Sequence, residues 1–148
     1  VGPLAVAAIT DLFDHVVGSG ALTTPQTADA VVHAMRIEIK KLRYLVTLLQ
    51  PHFDGDLTDL IGPLRGLQRC LGNFNDHSAQ LQELDRLVPT LVLDPAATTF
   101  ALVAVGELMR HLRALKDHER ERFARRFEVF SGPEGRAHYA ELFAPHSP

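Results

Sequence analysis

Residues 32–44, Val32-His33-Ala34-Met35-Arg36-Ile37-Glu38-Ile39-Lys40-Lys41-Leu42-Arg43-Tyr44, decide the fold. On a helical wheel of 100° per residue, Val32, Met35, Ile39, Leu42, Val46 and Leu49 fall on one arc. That is the apolar stripe of a helix facing a core. His33, Arg36, Lys40, Arg43 and Tyr44 fall on a second arc. A phenol and four groups that can carry positive charge thus point one way over about 15 Å of helix. Like charges at these spacings repel by a few tenths of a kcal/mol per pair. Such a row calls for compensation, from a neighbour's carboxylates or from a bound anion.

Helical periodicity extends outward in both directions, and no two adjacent runs alternate as strands do. Pro3 opens a first helix that stops at Gly18-Ser19-Gly20. Pro25 marks a turn, and Thr27 or Asp29 caps the second helix, which ends before Pro51. Asp54-Gly55-Asp56 reads as a turn, with Asp56 as N-cap of a third helix from Leu57 to about Val88. The seam Leu60, Leu64, Leu67, Leu71 and Phe74 keeps that helix continuous across Gly62-Pro63 and Gly72, and Pro89 ends it. Asp94-Pro95 starts a fourth helix, which Gly132-Pro133 stops after Phe130. The fold class is therefore all-α, an antiparallel bundle of about four long helices. The expected division is a helical domain over 1–133 and a tail over 134–148, with a short helical turn around Ala137 to Phe143.

Two further basic rows lie outside the second helix. Arg65, Gln68, Arg69, Gly72 and Asp76 share the face of the third helix opposite its leucine seam. Gly72 has no side chain, so a ligand or another helix can come close there. Asp76 is placed to accept hydrogen bonds from Arg43 or Tyr44 and so to orient them. In the fourth helix, Arg113, Lys116 and Arg120 form a stripe at i, i+3 and i+7. The wider run 110–126 mixes seven bases with Asp117, Glu119 and Glu121, and on its own reads as an exposed helix of internal ion pairs.

These local charges qualify the total. The chain has 148 residues, 15 Lys and Arg, 18 Asp and Glu, and a formal net charge of -3. As a total, -3 argues against a polyanion ligand, but residues 36–43 carry +3 and residues 110–126 carry +4. A local patch, more than the sum, governs what binds. One cysteine, Cys70, excludes an intramolecular disulfide, suits a reducing compartment, and reads as a small buried apolar residue. No apolar run is read as approaching the roughly 20 residues of a membrane span. The N-terminus lacks a basic leader and does not read as a signal peptide. The histidines are scattered, with no His-Glu-x-x-His, no Cys-x-x-Cys and no Gly-rich phosphate loop. Neither an enzyme, a metal site nor a cofactor is expected. Beyond Tyr44, aromatic residues do not interleave with the basic helix, which disfavours a nucleic-acid partner.

The quoted stretch resembles the His-x-x-Arg-x-x-x-Lys-x-x-Arg-Tyr helix of the CHAD domain, the conserved histidine α-helical domain. Leu67-Gln68-Arg69-Cys70-Leu71-Gly72-Asn73-Phe74-Asn75-Asp76 is similar to that family's Leu-Gln-x-x-Leu-Gly-x-x-Asn-Asp motif. Phe100 to Arg126 is similar to its last long helix. The resemblance implies a helical domain with a basic surface that binds inorganic polyphosphate. It carries His33, Arg36, Lys40, Arg43 and Tyr44 over as binding-face positions, with Lys41 in the same motif but off the main arc. Geometry adds Arg65, Arg69, Arg113, Lys116 and Arg120. Family members are built from two similar halves, and this chain resembles the C-terminal half alone. The resemblance therefore implies either a missing N-terminal half-domain or a homodimer that rebuilds the whole. It also implies a CYTH-type triphosphatase domain as a neighbour in a longer chain. The cytoplasm is the expected location, with association with polyphosphate granules. The reading from another class is a helical scaffold or protein-interaction module whose basic faces pair with acidic partners.

Overall fold

The computed structural model describes residues 2–21, 23–24, 26–53 and 56–143. The turns read at Pro25 and Asp54-Gly55, and tail residues 144–148, lie outside the described residues. Helix α1 spans Pro3–Ala21, α2 Asp29–Leu49, α3 Thr58–Leu93, α4 Thr99–Ser131 and α5 Pro133–Phe143; a 3-10 turn, Gln50–His52, follows α2. Among the described residues there is no strand. The chain is an all-α antiparallel bundle: α1 packs on α2, α2 on α3, and α3 on α4.

The stripe read from the sequence is the core. Val32, Met35, Ile39, Leu42 and Val46 of α2 are buried, and Leu49 is partly so. They meet Leu60, Leu64, Leu67, Leu71 and Phe74 of α3 and Ile9, Phe13, Val16 and Val17 of α1. Each large aliphatic side chain withdrawn from water contributes about 1.5–3 kcal/mol, so this stripe and not helix propensity holds α2 in place. Phe123, Phe127 and Phe130 of α4 close the core. Gly20 lets α1 approach α4, because a Cβ there would sit 1.9 Å from Cζ of Phe127.

Several boundaries differ from the sequence reading, each for a local reason. Helix α1 runs through Gly18-Ser19-Gly20 to Ala21. Pro89 does not end α3, which continues to Leu93. Proline removes one donor, and on this exposed stretch water can satisfy the carbonyl that donor would have met. Asp94-Pro95 does not open α4. Asp94 ends α3, and its carboxylate accepts from Ala96 N at 2.8 Å. The cap of α4 is Thr98, whose hydroxyl accepts from Ala101 N at 3.2 Å. Neither Thr27 nor Asp29 caps α2; the cap residue is Ala28, and Asp29 is the first residue of the helix. Asp56 accepts from Thr58 N at 2.8 Å, one residue before the cap position of α3, Leu57. The hydrogen bonds from Thr58 hold its carboxyl below the ordinary 3.8.

The reading that no apolar run approaches membrane length is also corrected. Helix α1 has 19 residues and a mean hydropathy of 1.2, enough to cross a membrane by length and composition. Here its Ile9, Phe13, Val16 and Val17 are buried in the bundle.

Residues 134–143, read as the start of a tail, fold into α5. Tyr139 stacks on Phe13 with ring centroids 3.7 Å apart, and Tyr139 and Phe143 join the main core. A second, smaller cluster of Leu81, Met109 and Leu112 belongs to α3 and α4 alone.

Candidate functional site

The bond that organises the basic face joins α2 to α3. Nδ1 of His33 lies 3.0 Å from Oδ1 of Asn75. The apolar stripe packs α2 on α3, and with the helices antiparallel, counting equal steps from this contact gives the approximate levels of the other residues. That count pairs Arg36 with Gly72, Lys40 with Gln68, and Arg43 with Arg65. Five permanent cations, Arg36, Lys40, Arg43, Arg65 and Arg69, therefore gather along one helix pair. Arg65 and Arg69 are exposed, and a Cβ built at Gly72 would meet nothing within 4 Å. The close approach expected at Gly72 occurs instead at Gly66, where a Cβ would sit 2.8 Å from Nη1 of Arg126. Beside Arg36 the face is open.

Arg36 and Arg43 are half-buried, and neither forms an ion pair or side-chain hydrogen bond among the described residues. The Nε atoms of both, and Oε1 of Gln68, are buried without a partner. The Nε of Arg120, whose other nitrogens are engaged by Asp29 and Thr27, is buried without a partner in the same way. Arg43 lies over the ring of Tyr44 at 4.6 Å, and Lys40 at 5.6 Å. This cation–π contact restrains the two charges without neutralising them. Tyr44 is 51% exposed, so its hydroxyl is available as a further donor.

Other expected members of the face are placed differently. Lys41 pairs with Glu38 at 2.9 Å. Asp76 forms no bond to Arg43 or Tyr44. In the antiparallel register it lies level with Val32, about 17 Å along the axis from Arg43. The residue that orients a member of the face is its neighbour Asn75, inside the same motif but read only as part of the pattern.

The α4 stripe separates from the α2–α3 face. Lys116 and Arg120 both pair with Asp29. Arg120 also donates to the carbonyl of Thr27 at 2.6 Å, and both cations lie over the buried Phe74 ring. Arg113 and Lys116 line a groove of about 360 Å³ with Asp29, Asp85 and Asp117. Three carboxylates against two bases leave no positive excess there. Further along α4, Arg122 pairs with buried Glu119 at 3.0 Å and Arg125 with Glu121 at 3.8 Å. Of the seven bases in 110–126, Arg110, Arg122 and Arg125 pair within α4, while Lys116 and Arg120 clamp α4 to the start of α2. Asp29, read only as a cap, and Glu119 escaped the sequence reading because their partners lie on another helix or within a mixed run.

Cys70 is buried, and burial pushes its thiol above the ordinary 9.0. An apolar hollow of about 540 Å³ lies between the start of α3, the end of α4 and α5; none of the basic-face residues lines it. Among the described residues, no three His, Cys, Asp or Glu side chains converge as metal ligands would.

The family model described as CHAD domain matches residues 2–85, which span α1, α2 and most of α3. It includes the whole α2–α3 face and stops before the α3–α4 turn. No curated protein and no solved structure matches the chain.

Proposed function

The chain belongs to the CHAD domain family, and on that premise we propose that it binds inorganic polyphosphate through the α2–α3 face, by binding rather than catalysis. The family is associated with polyphosphate binding in general. One observation carries the reading to these residues: Arg36 and Arg43 lie on a shared face with Lys40, half-buried and without carboxylate partners among the described residues.

The chemistry fits a phosphate polymer. Polyphosphate offers regularly spaced oxygens and about one charge per phosphate, with no bases to read. Arginine meets such oxygens with a planar fork, and lysine with a point charge. His33, held by Asn75, and Tyr44 add donors at the two ends of the row. Lys41, Lys116 and Arg120 are engaged by the protein's own carboxylates and are assigned structural roles.

A scaffold role has one observation in its favour, the pairing of the α4 bases with internal acids, which shows how this fold neutralises a basic helix without a ligand. Titration of the chain with polyphosphate, single-stranded RNA and a scrambled acidic peptide at several salt concentrations separates the readings. We expect tight, salt-sensitive binding of polyphosphate that the double substitution Arg36→Ala/Lys40→Ala weakens while helical content is kept. Binding that survives the double substitution places the ligand elsewhere.

A further inference from the structure

Oδ1 of Asn75 can only accept a hydrogen bond. At 3.0 Å from Nδ1 of His33, it requires a neutral imidazole to carry its proton on Nδ1. The other ring nitrogen, Nε2, then holds a lone pair. His33 is exposed, and among the described residues nothing bonds its Nε2. The ring stands one helical turn before Arg36, on the arc that Lys40 and Arg43 continue. Beside a row of cations, neutral His33 thus offers solvent an acceptor. Phosphate oxygens are acceptors as well, and two acceptors do not pair.

A second proton reverses this. It goes to Nε2, leaves the bond from Nδ1 to Asn75 in place, and makes Nε2 a charged donor. No side chain has to move. An imidazole ordinarily takes up that proton at about pH 6.5. The surroundings leave the new charge for a ligand to answer. On α2, Asp29 stands one turn before His33 but is held by Lys116 and Arg120 of α4, and Arg36 one turn after is a further cation. On α3, Asn75 is neutral, its neighbour Asp76 is exposed, and His77 is the other titratable ring of that stretch. The end of α1, Gly18 to Ala21, carries no charged residue. Two cations one turn apart repel, and a polyanion that bridges them removes the repulsion.

On the reading that this face binds polyphosphate, we propose that Asn75 is a positioning residue that makes His33 a proton-gated contact. By fixing which ring nitrogen is protonated, it withholds a donor from the ligand while His33 is neutral and supplies one once His33 is charged. The α2–α3 face then holds polyphosphate more tightly as the solution turns acidic.

The test is titration of the full chain with long-chain polyphosphate at constant ionic strength, at several values between about pH 5.5 and about pH 8.5, either side of the ordinary imidazole range. Affinity should be roughly tenfold higher at the acidic end, the scale of one charge-assisted hydrogen bond. His33→Gln keeps a donor that does not titrate and should remove most of that ratio, which separates His33 from the other histidines. Asn75→Ala frees the neutral ring to place its proton on Nε2 and donate. It should therefore keep or raise affinity at the alkaline end and flatten the profile, whereas loss of a merely structural residue would lower affinity at every pH. Nitrogen NMR of the free chain should show neutral His33 protonated on Nδ1. A neutral ring protonated on Nε2 overturns the proposal. So does a pH profile that His33→Gln leaves unchanged, or an equal loss at every pH in Asn75→Ala. Binding that is tight but indifferent to pH overturns this proposal alone, while no polyphosphate binding at any pH overturns the reading of the face with it.

Discussion

Nδ1 of His33 lies 3.0 Å from Oδ1 of Asn75 across 42 residues of chain, and this contact joins the two basic helices at one end of their shared face. It sits at an exposed edge, so its net contribution is at the low end for a hydrogen bond. Asn75→Ala and His33→Ala should each destabilise the fold by about 0.5–1 kcal/mol. The double variant should cost less than the sum of the two, since each single change already removes the bond. Urea unfolding of the four proteins measures the cycle; strict additivity would show that the contact contributes nothing.

The charge arrangement predicts an uneven response of polyphosphate binding to substitution. Arg36→Ala and Arg43→Ala should each weaken it roughly tenfold, the scale of a lost charge-assisted hydrogen bond. Removing both should reduce the slope of log K against log salt by about 1.4, as for two lost contacts to a single-stranded polyanion. Lys41→Ala should change affinity by less than about twofold, because Glu38 already holds that charge. Isothermal titration at three or more salt concentrations gives both quantities. Equal losses at Arg36 and Lys41 would overturn the assignment of the face.

Asp29 holds two cations of α4 whose side chains are only 19% and 13% exposed, while its own is 48% exposed. Asp29→Asn should therefore cost about 1–2 kcal/mol, between the values for surface and buried pairs. Differential scanning calorimetry reads this as a lowered Tm. Polyphosphate affinity should be retained, since Lys116 and Arg120 lie off the α2–α3 face.

Two glycines should respond in opposite ways to alanine. Gly20→Ala drives a Cβ into the buried Phe127 ring and should cost about 1–3 kcal/mol. Gly72→Ala, in open space inside α3, should stabilise by about 0.5–1 kcal/mol through helix propensity. Chemical denaturation of both variants checks the pair; similar effects at both positions would contradict the packing described.

Burial lifts the Tyr139 phenol far above its ordinary 10.0. A phenol with a raised folded pKa contributes stability below its unfolded value, and that contribution is lost as pH rises beyond it. The fold should therefore weaken above about pH 10. In Tyr44→Phe, which leaves Tyr139 as the sole tyrosine, phenolate absorbance and loss of helical circular dichroism should rise together. Ionisation well before unfolding would show that Tyr139 reaches water.

Much of the fold was legible because it is written in short-range periodicity. The stripe from Val32 to Val46 and the seam from Leu60 to Phe74 are both buried as read. Helix ends were less legible. Pro89 and Asp94-Pro95 carry stop and start signals that an exposed helix end can override by using water and a later cap, Thr98. The basic rows of α2 and α4 were legible as rows, but which of their members carry counter-charges was not. Glu38 neutralises Lys41 from one turn away, while Asp29 reaches Lys116 and Arg120 across 87 and 91 residues.

By itself, then, the sequence determined that the chain is helical, which face of each helix is apolar, and which helix carries a row of cations. Those are properties of residues three and four positions apart. Only the tertiary structure decided which cations keep their charge unpaired. That depends on the register between antiparallel helices, which places Asn75 beside His33, Asp76 far from Arg43, and Asp29 between Lys116 and Arg120. The reason is physical: a charge is neutralised by whatever lies within a few ångströms of it, and for Lys116 and Arg120 that neighbour comes from another helix.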